Sequence, residues 1–147
     1  MNLIKSACSL FVTITLASVT LQAAPLNTGN EIANISIKQI VMSGTSGWVS
    51  CHNSLANCLV SLKYTNPTEG WVTILNNSGV VATNVKATLP PTWAGNVIPK
   101  STCDVIKVGQ SCTLNFIANV STPLAKETIP VKGDNTTTVF FDMEVIA

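Results

Sequence analysis

The residues best suited to chemistry in this sequence are its cysteines. Cys51, Cys58, Cys103 and Cys112 lie beyond the N-terminal segment, and the fifth, Cys8, lies within it. An even number of cysteines in a short exported chain predicts a disulfide framework. Turn-forming residues separate Cys103 from Cys112, and they favour a hairpin-like return that brings the two sulfur atoms together. We therefore predict local pairing, Cys51 with Cys58 and Cys103 with Cys112.

A second connectivity crosses the predicted core. Cys58 and Cys112 each share a strand face with apolar neighbours, and Trp71 follows Cys58 in the chain, in position to pack against a central bridge. This pairing leaves Cys51 and Cys103 to meet separately. The sequence favours the local pairs and keeps the second connectivity open.

The sequence supports a metal site or a redox site less well than it supports disulfides. The sequence has no Cys-x-x-Cys pair, which thioredoxin-like redox chemistry requires. A zinc site made of Cys51, His52, Cys58 and one distant cysteine matches no standard ligand spacing. A copper site at His52 with Met42 or Met143 has no element that fixes its geometry. We expect no metal and no cofactor.

Catalysis is not expected either. His52 is the only histidine and it neighbours a cysteine, so few arrangements of a histidine with a nucleophile remain. Asp142 and Glu144 fall on the polar face of the last predicted strand, while Asp104 and Asp134 sit at turns. A pair of distant carboxylates that acts on a sugar is the remaining alternative.

The N-terminus has the pattern of a secretory signal. Lys5 gives a positive charge, residues 7–21 are apolar and uncharged, and cleavage is expected after Ala23. The apolar run is short for a membrane span. We predict a signal peptide over residues 1–23, which removes Cys8, and a short leader over residues 24–34. The mature chain is expected to lack a transmembrane segment and to be secreted, periplasmic or on the cell surface.

The charge balance narrows the classes of partner. Loss of Lys5 leaves seven lysines, no arginine and seven acidic residues, so the mature chain is close to neutral. Nucleic-acid binding depends on dense Lys and Arg contacts to phosphate, so we expect no nucleic-acid partner. A near-neutral chain has little charge repulsion to oppose association with itself or with another protein.

Period-two alternation dominates the remaining sequence. It is clear at residues 60–64, 81–89, 112–120 and 139–145, and in the second of these Val81, Val85 and Leu89 share one face. Weaker strands are expected at Ile35–Met42, where the alternation slips near Gln39 as at a β-bulge, and at 71–75 and 128–132. Turn residues separate the segments. The sequence predicts one antiparallel β-sandwich of about seven or eight strands over residues 35–147.

Three stretches resemble bacterial immunoglobulin-like repeat domains of exported and surface proteins. They are WVTILNNSGVVATNVKATLP at 71–90, VGQSCTLNF at 108–116 and IPVKGDN at 129–135. Val108 stands where the family usually has proline. The resemblance covers residues from about 58 to 147, and it implies an immunoglobulin-like β-sandwich that acts as a spacer, an adhesive module or an assembly module. It implies no catalytic residue.

The leading functional hypothesis is a structural, adhesive or protein-interaction module. Phe140 and Ile146 fall on the opposite face of the last strand from Val139 and Phe141, so they are candidates for an exposed docking patch. A pilus-type subunit completed by a donor strand is a variant, with Ile35–Met42 as the first strand or as the donor.

A glycan- or small-ligand-binding module is the alternative. Trp48, Trp71 and Trp93 are possible stacking platforms for a sugar ring, and Trp93 in the loop at 91–95 is the best placed of the three.

Overall fold

The computed structural model describes residues 31–42, 48–50, 58–65 and 68–147, with the backbone alone for 48–50. Within these ranges the chain forms strands, one 3-10 turn at Pro91–Trp93 and no α-helix. The strands are β1 (Ile35–Met42), β2 (Trp48–Ser50), β3 (Leu59–Lys63), β4 (Glu69–Asn76), β5 (Ala82–Ala87), β6 (Val97–Pro99), β7 (Cys103–Ile106), β8 (Ser111–Ala118), β9 (Leu124–Lys132) and β10 (Val139–Ile146).

The strands form two five-stranded sheets. One has the order β2-β1-β4-β8-β6, and the other has the order β3-β10-β9-β5-β7. The predicted all-β sandwich is therefore confirmed. β3 pairs in parallel with β10, whereas the other pairs between described strands are antiparallel, so the arrangement is not purely antiparallel as predicted. The described residues form ten strands, more than the seven or eight predicted, because β2, β6 and β7 have only three or four residues and are too short to show alternation in the sequence.

The core lies between the two sheets. Phe116 of β8 and Phe141 of β10 meet across it with ring centroids 5.8 Å apart. The inward faces predicted for 60–64, 112–120 and 139–145 supply much of it: Val60, Leu62, Leu114, Phe116, Ala118, Phe141, Met143 and Val145 are all buried. Burial of these side chains is the main favourable term in folding, worth roughly 1.5–3 kcal/mol for each large aliphatic or aromatic group.

Strand β1 contains the predicted slip. Its pairing with β4 shifts register between Ile37 and Gln39. The shift allows Ile37 and Ile40, three residues apart, to be buried on the same side of the strand. β1 lies between β2 and β4, so the sandwich obtains this strand from its own sequence.

Strand β5 departs from the expected alternation. Val81 is exposed, while Ala82 and Val85 are both completely buried. The cause is Asn84, whose φ of 52° places it in the left-handed region and rotates the strand between the two buried side chains. The prediction that Val81 begins the inward face is therefore wrong.

The packed structure begins within the predicted leader. Ala33 is completely buried, and its N–H donates to Asn135 O at 2.7 Å. Ala33 O accepts from Thr137 N–H at 3.0 Å. These bonds attach the chain two residues before β1 to the turn that precedes β10. The proposed signal peptide lies outside the described residues.

Candidate functional site

The disulfide between Cys103 and Cys112 is present, with the two Cα atoms 6.0 Å apart. The sequence suggested a bridge across a hairpin, but the two strands that this disulfide connects are not paired with each other. Cys103 lies in β7 opposite Val85, and Cys112 lies in β8 opposite Ile74, so the bond connects the two sheets. The local pairing is confirmed for these two residues, and the alternative of Cys58 with Cys112 is wrong.

A buried asparagine fixes the same end of the sandwich. Asn76 is completely buried, and its Nδ2 donates to Val80 O at 2.7 Å and to Ile106 O at 3.0 Å. Its Oδ1 accepts from Ser78 N–H at 3.0 Å and from Ser78 Oγ at 2.7 Å. The Asn76 N–H also donates to Gln110 O at 3.0 Å. The side chain is therefore fully hydrogen-bonded, and it links β4 to β7 and to the turn after β4. The backbone N–H of Asn76 links β4 to the turn before β8.

Cys58 is also disulfide-bonded, to a residue outside the described ranges. Cys51 and His52 lie outside these ranges, and so does the predicted pairing of Cys51 with Cys58. Because Cys58, Cys103 and Cys112 are in disulfides, none of them offers a thiolate to zinc. The described residues contain no group of three His, Cys, Asp or Glu side chains close enough to hold a metal ion. Met143 is completely buried in the core, so it is not placed as an accessible copper ligand.

Trp93 does not form the predicted stacking platform. Trp93 is only 3% exposed, because the 3-10 turn at Pro91–Trp93 directs its side chain into the core. The prediction of an exposed Trp93 ring is therefore wrong, since a sugar needs an open ring face on which to stack. Trp71 is half-buried in β4, and the side chain of Trp48 lies outside the described residues.

The outer face of β10 has two exposed apolar side chains. Phe140 is 59% exposed and Ile146 is 39% exposed, as their positions in the sequence suggested. The cross-strand neighbour of Phe140 is Pro130 of β9, and that of Ile146 is Lys63 of β3. Because β10 lies inside the sheet, between β3 and β9, Phe140 stands on a sheet surface rather than at an edge.

The two acidic residues between them have partners within the sheet. Thr128 Oγ1 donates to Asp142 Oδ1 at 2.8 Å, and Lys126 Nζ lies 3.8 Å from Asp142 Oδ2. Ser61 Oγ donates to Glu144 Oε1 at 2.6 Å. These are cross-strand pairs, which stabilise a sheet by roughly 0.2–1 kcal/mol each. Asp142 and Glu144 therefore have structural roles on this face.

Side chains close one sheet edge, at β3. Ser61 N–H donates to Met42 Sδ at 3.2 Å, and Lys63 N–H donates to Thr68 Oγ1 at 2.8 Å. Backbone donors that are already satisfied do not invite another strand.

A proline closes the edge at β6. Lys100 N–H donates to Asn115 O of β8 at 2.8 Å, so the backbone of the preceding Pro99 faces the open side. Proline offers no N–H there.

Strand β9 has an open edge in its first half. β5 pairs with it only at Val131 and Lys132, and Thr88 N–H adds one bond to Pro130 O at 2.9 Å. The chain then leaves this sheet through Pro90 and the 3-10 turn. Ala125, Lys126, Glu127 and Thr128 are all exposed, although β9 was expected to begin only at Thr128. Pro130 within a strand was the sequence signal that one side of the ladder is incomplete.

A shallow polar pocket of about 210 Å³ lies between β5 and β7. It is lined by Asn84, Val85, Lys86, Thr102, Asp104 and Asp134. Thr102 Oγ1 donates to Asp104 Oδ1 at 3.1 Å, and Asn84 Nδ2 donates to Asp134. Asp104 therefore lies within β7, and Asp134 lies at a turn but accepts from a distant strand, so the prediction that both carboxylates make local turn hydrogen bonds is wrong.

No helix in the described ranges is long and apolar enough to cross a membrane. Comparison with protein-family models found no family that matches this chain, and a search of curated proteins found no match.

Proposed function

We propose that the chain is an exported, non-catalytic sandwich with immunoglobulin-like connectivity that serves as an adhesive or protein-interaction module. In immunoglobulin domains, the first, second, fifth and fourth strands form one sheet, and the third, sixth and seventh form the other. The order β1-β4-β8-β6 and the order β10-β9-β5 correspond to these two sets, which supports the proposal. The disulfides support an extracytoplasmic location: secreted, periplasmic or at the cell surface.

One observation carries the proposal of an interaction role: Phe140, a large apolar side chain, is 59% exposed in the middle of a sheet surface. The acidic residues beside it are occupied by Thr128, Lys126 and Ser61, so the apolar side chains of Phe140 and Ile146 remain available on this face of β10. Aromatic side chains supply a large share of binding energy when a partner covers them. We therefore assign the docking face to Phe140, with Ile146 at its far end.

The test is capture of partners from the native envelope and secretome by the mature chain, together with size-exclusion chromatography. Phe140→Asp is expected to abolish capture or self-association, while the Tm changes little, because the side chain is already in water. Ile32→Asp is the matched control, since Ile32 is 67% exposed and lies outside the sheets. If Phe140→Asp behaves like Ile32→Asp and like the unchanged chain, the face has been assigned wrongly.

A further inference from the structure

We propose that the open edge of β9 accepts an extended segment of another polypeptide, one that places a lysine or arginine opposite Glu127 and an acidic residue opposite Lys126. This inference rests on the proposed interaction role, and it names a second surface and the chemistry of its partner.

The orientation of the β9 backbone follows from its hydrogen bonds. Asp142 N–H donates to Cys58 O, so Asp142 points toward β3, and the alternate residues of β10 point toward β9. Phe141 and Met143 therefore face Ile129 and Glu127, their register partners in β9. By the same alternation, the N–H and C=O groups of Thr128, which lies between these two residues, and of Lys126, which precedes Glu127, point to the other side.

On that other side Lys126 and Thr128 meet no strand within the residues that the structure describes. The ladder between β5 and β9 ends at Pro130, whose carbonyl accepts from Thr88 and which has no N–H of its own. Lys126 and Thr128 thus present two donors and two acceptors along an edge that is interrupted, between Glu127 and Leu124, by a register shift in the ladder to β10. An added antiparallel strand forms four hydrogen bonds with them.

A second copy of this chain fits the edge poorly. The two-fold register that uses all four outward groups of each chain pairs Lys126 with Thr128 and sets Glu127 directly against Glu127 of the other copy. A register centred on Lys126 opposes two lysines. A register centred on Thr128 sets Lys126 against Pro130, which has no N–H to give. Like charges directly opposite each other destabilise a strand pair.

The same charges select a different partner. In the register that uses all four outward groups, the residue opposite Glu127 is best a lysine or arginine, and the residue opposite Lys126 is best an aspartate or glutamate. The position opposite Thr128 suits threonine or another β-branched residue. The occupant is therefore an extended segment with a basic residue followed directly by an acidic one.

The probe is the peptide Thr-Val-Thr-Lys-Glu-Val-Thr, blocked at both ends. Its control, Thr-Val-Thr-Glu-Lys-Val-Thr, has the same composition and opposes like charges at both positions. Titration is followed by the amide NMR shifts of the ¹⁵N-labelled mature chain. We expect the first peptide to shift the amides of Lys126 and Thr128 and to bind about tenfold more tightly than the control. Equal binding of the two peptides, or shifts that are absent from β9, would overturn the proposal.

Two substitutions test the edge itself. Glu127→Lys, on an exposed side chain, is expected to abolish the preference, because each peptide then makes one opposite-charge pair and one like-charge pair with residues 126 and 127. Thr128→Pro removes one outward N–H without touching the ladder to β10, and is expected to weaken binding at least tenfold. If Thr128→Pro fails to fold, Glu127→Lys still decides, because a tenfold preference that survives this substitution would overturn the proposal.

Val105→Pro is the matched control at the edge strand β7. Thr83 N–H donates to Asn135 Oδ1, away from β7, so its ladder partner Val105 also points outward. We expect Val105→Pro to leave peptide binding unchanged. If Val105→Pro abolishes binding and Thr128→Pro does not, the added strand lies at β7.

These peptide measurements do not involve Phe140. Failure of the Phe140→Asp test therefore leaves them intact, and absence of peptide binding leaves the Phe140 face standing.

Discussion

Replacement of Asn76 by aspartate isolates the contribution of the buried polar network. The change keeps the shape of the side chain and replaces the Nδ2 donor by oxygen, which then faces Val80 O and Ile106 O, at 2.7 and 3.0 Å from the nitrogen it replaces. A protonated carboxyl retains one O–H and can satisfy one of these two carbonyls. An ionised carboxylate can satisfy neither, and it stays buried at a position with no solvent exposure.

The expected loss depends on pH. The lost hydrogen bond costs about 1–1.5 kcal/mol in either state. Keeping the carboxyl protonated in the fold adds roughly 1.4 kcal/mol for each pH unit above its unfolded pKa of about 3.9. Because burial raises the pKa of this carboxyl in the folded state, the variant keeps most of its stability below its unfolded pKa of about 3.9. It loses stability as the pH rises above that value. The free energy of unfolding should therefore fall by about 1.5–2 kcal/mol at pH 4 and by up to about 5.5 kcal/mol at pH 7, both relative to the unchanged chain.

The assay is urea unfolding of the mature chain at pH 4 and pH 7, followed by tryptophan fluorescence. Asn77→Asp is the matched control, because Asn77 is the next residue and is exposed, with one bond from its Nδ2 to Ser36 Oγ. We expect it to cost under about 1 kcal/mol with little dependence on pH. If Asn76→Asp lies within about 1 kcal/mol of this control at pH 7, or if its loss does not grow with pH, the account of Asn76 is wrong.

Two further predictions concern stability. The double variant Cys103→Ala/Cys112→Ala opens a loop of about ten residues and should lower the free energy of unfolding by about 2.7 kcal/mol on the chain-entropy model. It is measured by urea unfolding without reductant, so that the Cys58 disulfide stays intact, and a loss below about 1 kcal/mol would contradict the link between the sheets. Trp93→Ala should cost about 3–5 kcal/mol, because the ring is buried. A loss below about 1 kcal/mol in the same assay would mean that the ring lies outside the core.

The sequence predicted the parts of the fold that are governed by alternation. The inward faces of β3, β8 and β10 and the slip in β1 were all readable, because a strand covered on one side repeats every two residues. The left-handed conformation of Asn84 could not be predicted in this way, because it is accompanied by a tertiary hydrogen bond from its Nδ2 to Asp134. Strands as short as β6 and β7 leave too few residues for a period.

The candidate surfaces were predicted unequally for the same reason. Exposure of Phe140 follows from its position opposite Phe141 in an alternating strand, so the sequence identified it. Burial of Trp93 depends on how the 3-10 turn crosses between the sheets, and no local pattern records that path. The open edge of β9 depends on where β5 ends, which requires the pairing of two distant segments. Pro130 alone marked it in the sequence.

The outer face and the open edge of β9 are connected through Asp142. Its carboxylate holds the side chains of both Thr128 and Lys126, the two residues whose backbone groups face the open side. A strand held in this way is already ordered before a partner arrives, so less conformational entropy is lost on binding. Pro130, the register partner of Phe140, ends both the open edge and the ladder to β5. A segment added along β9 therefore stops beside the exposed Phe140 face, where one partner can contact both surfaces.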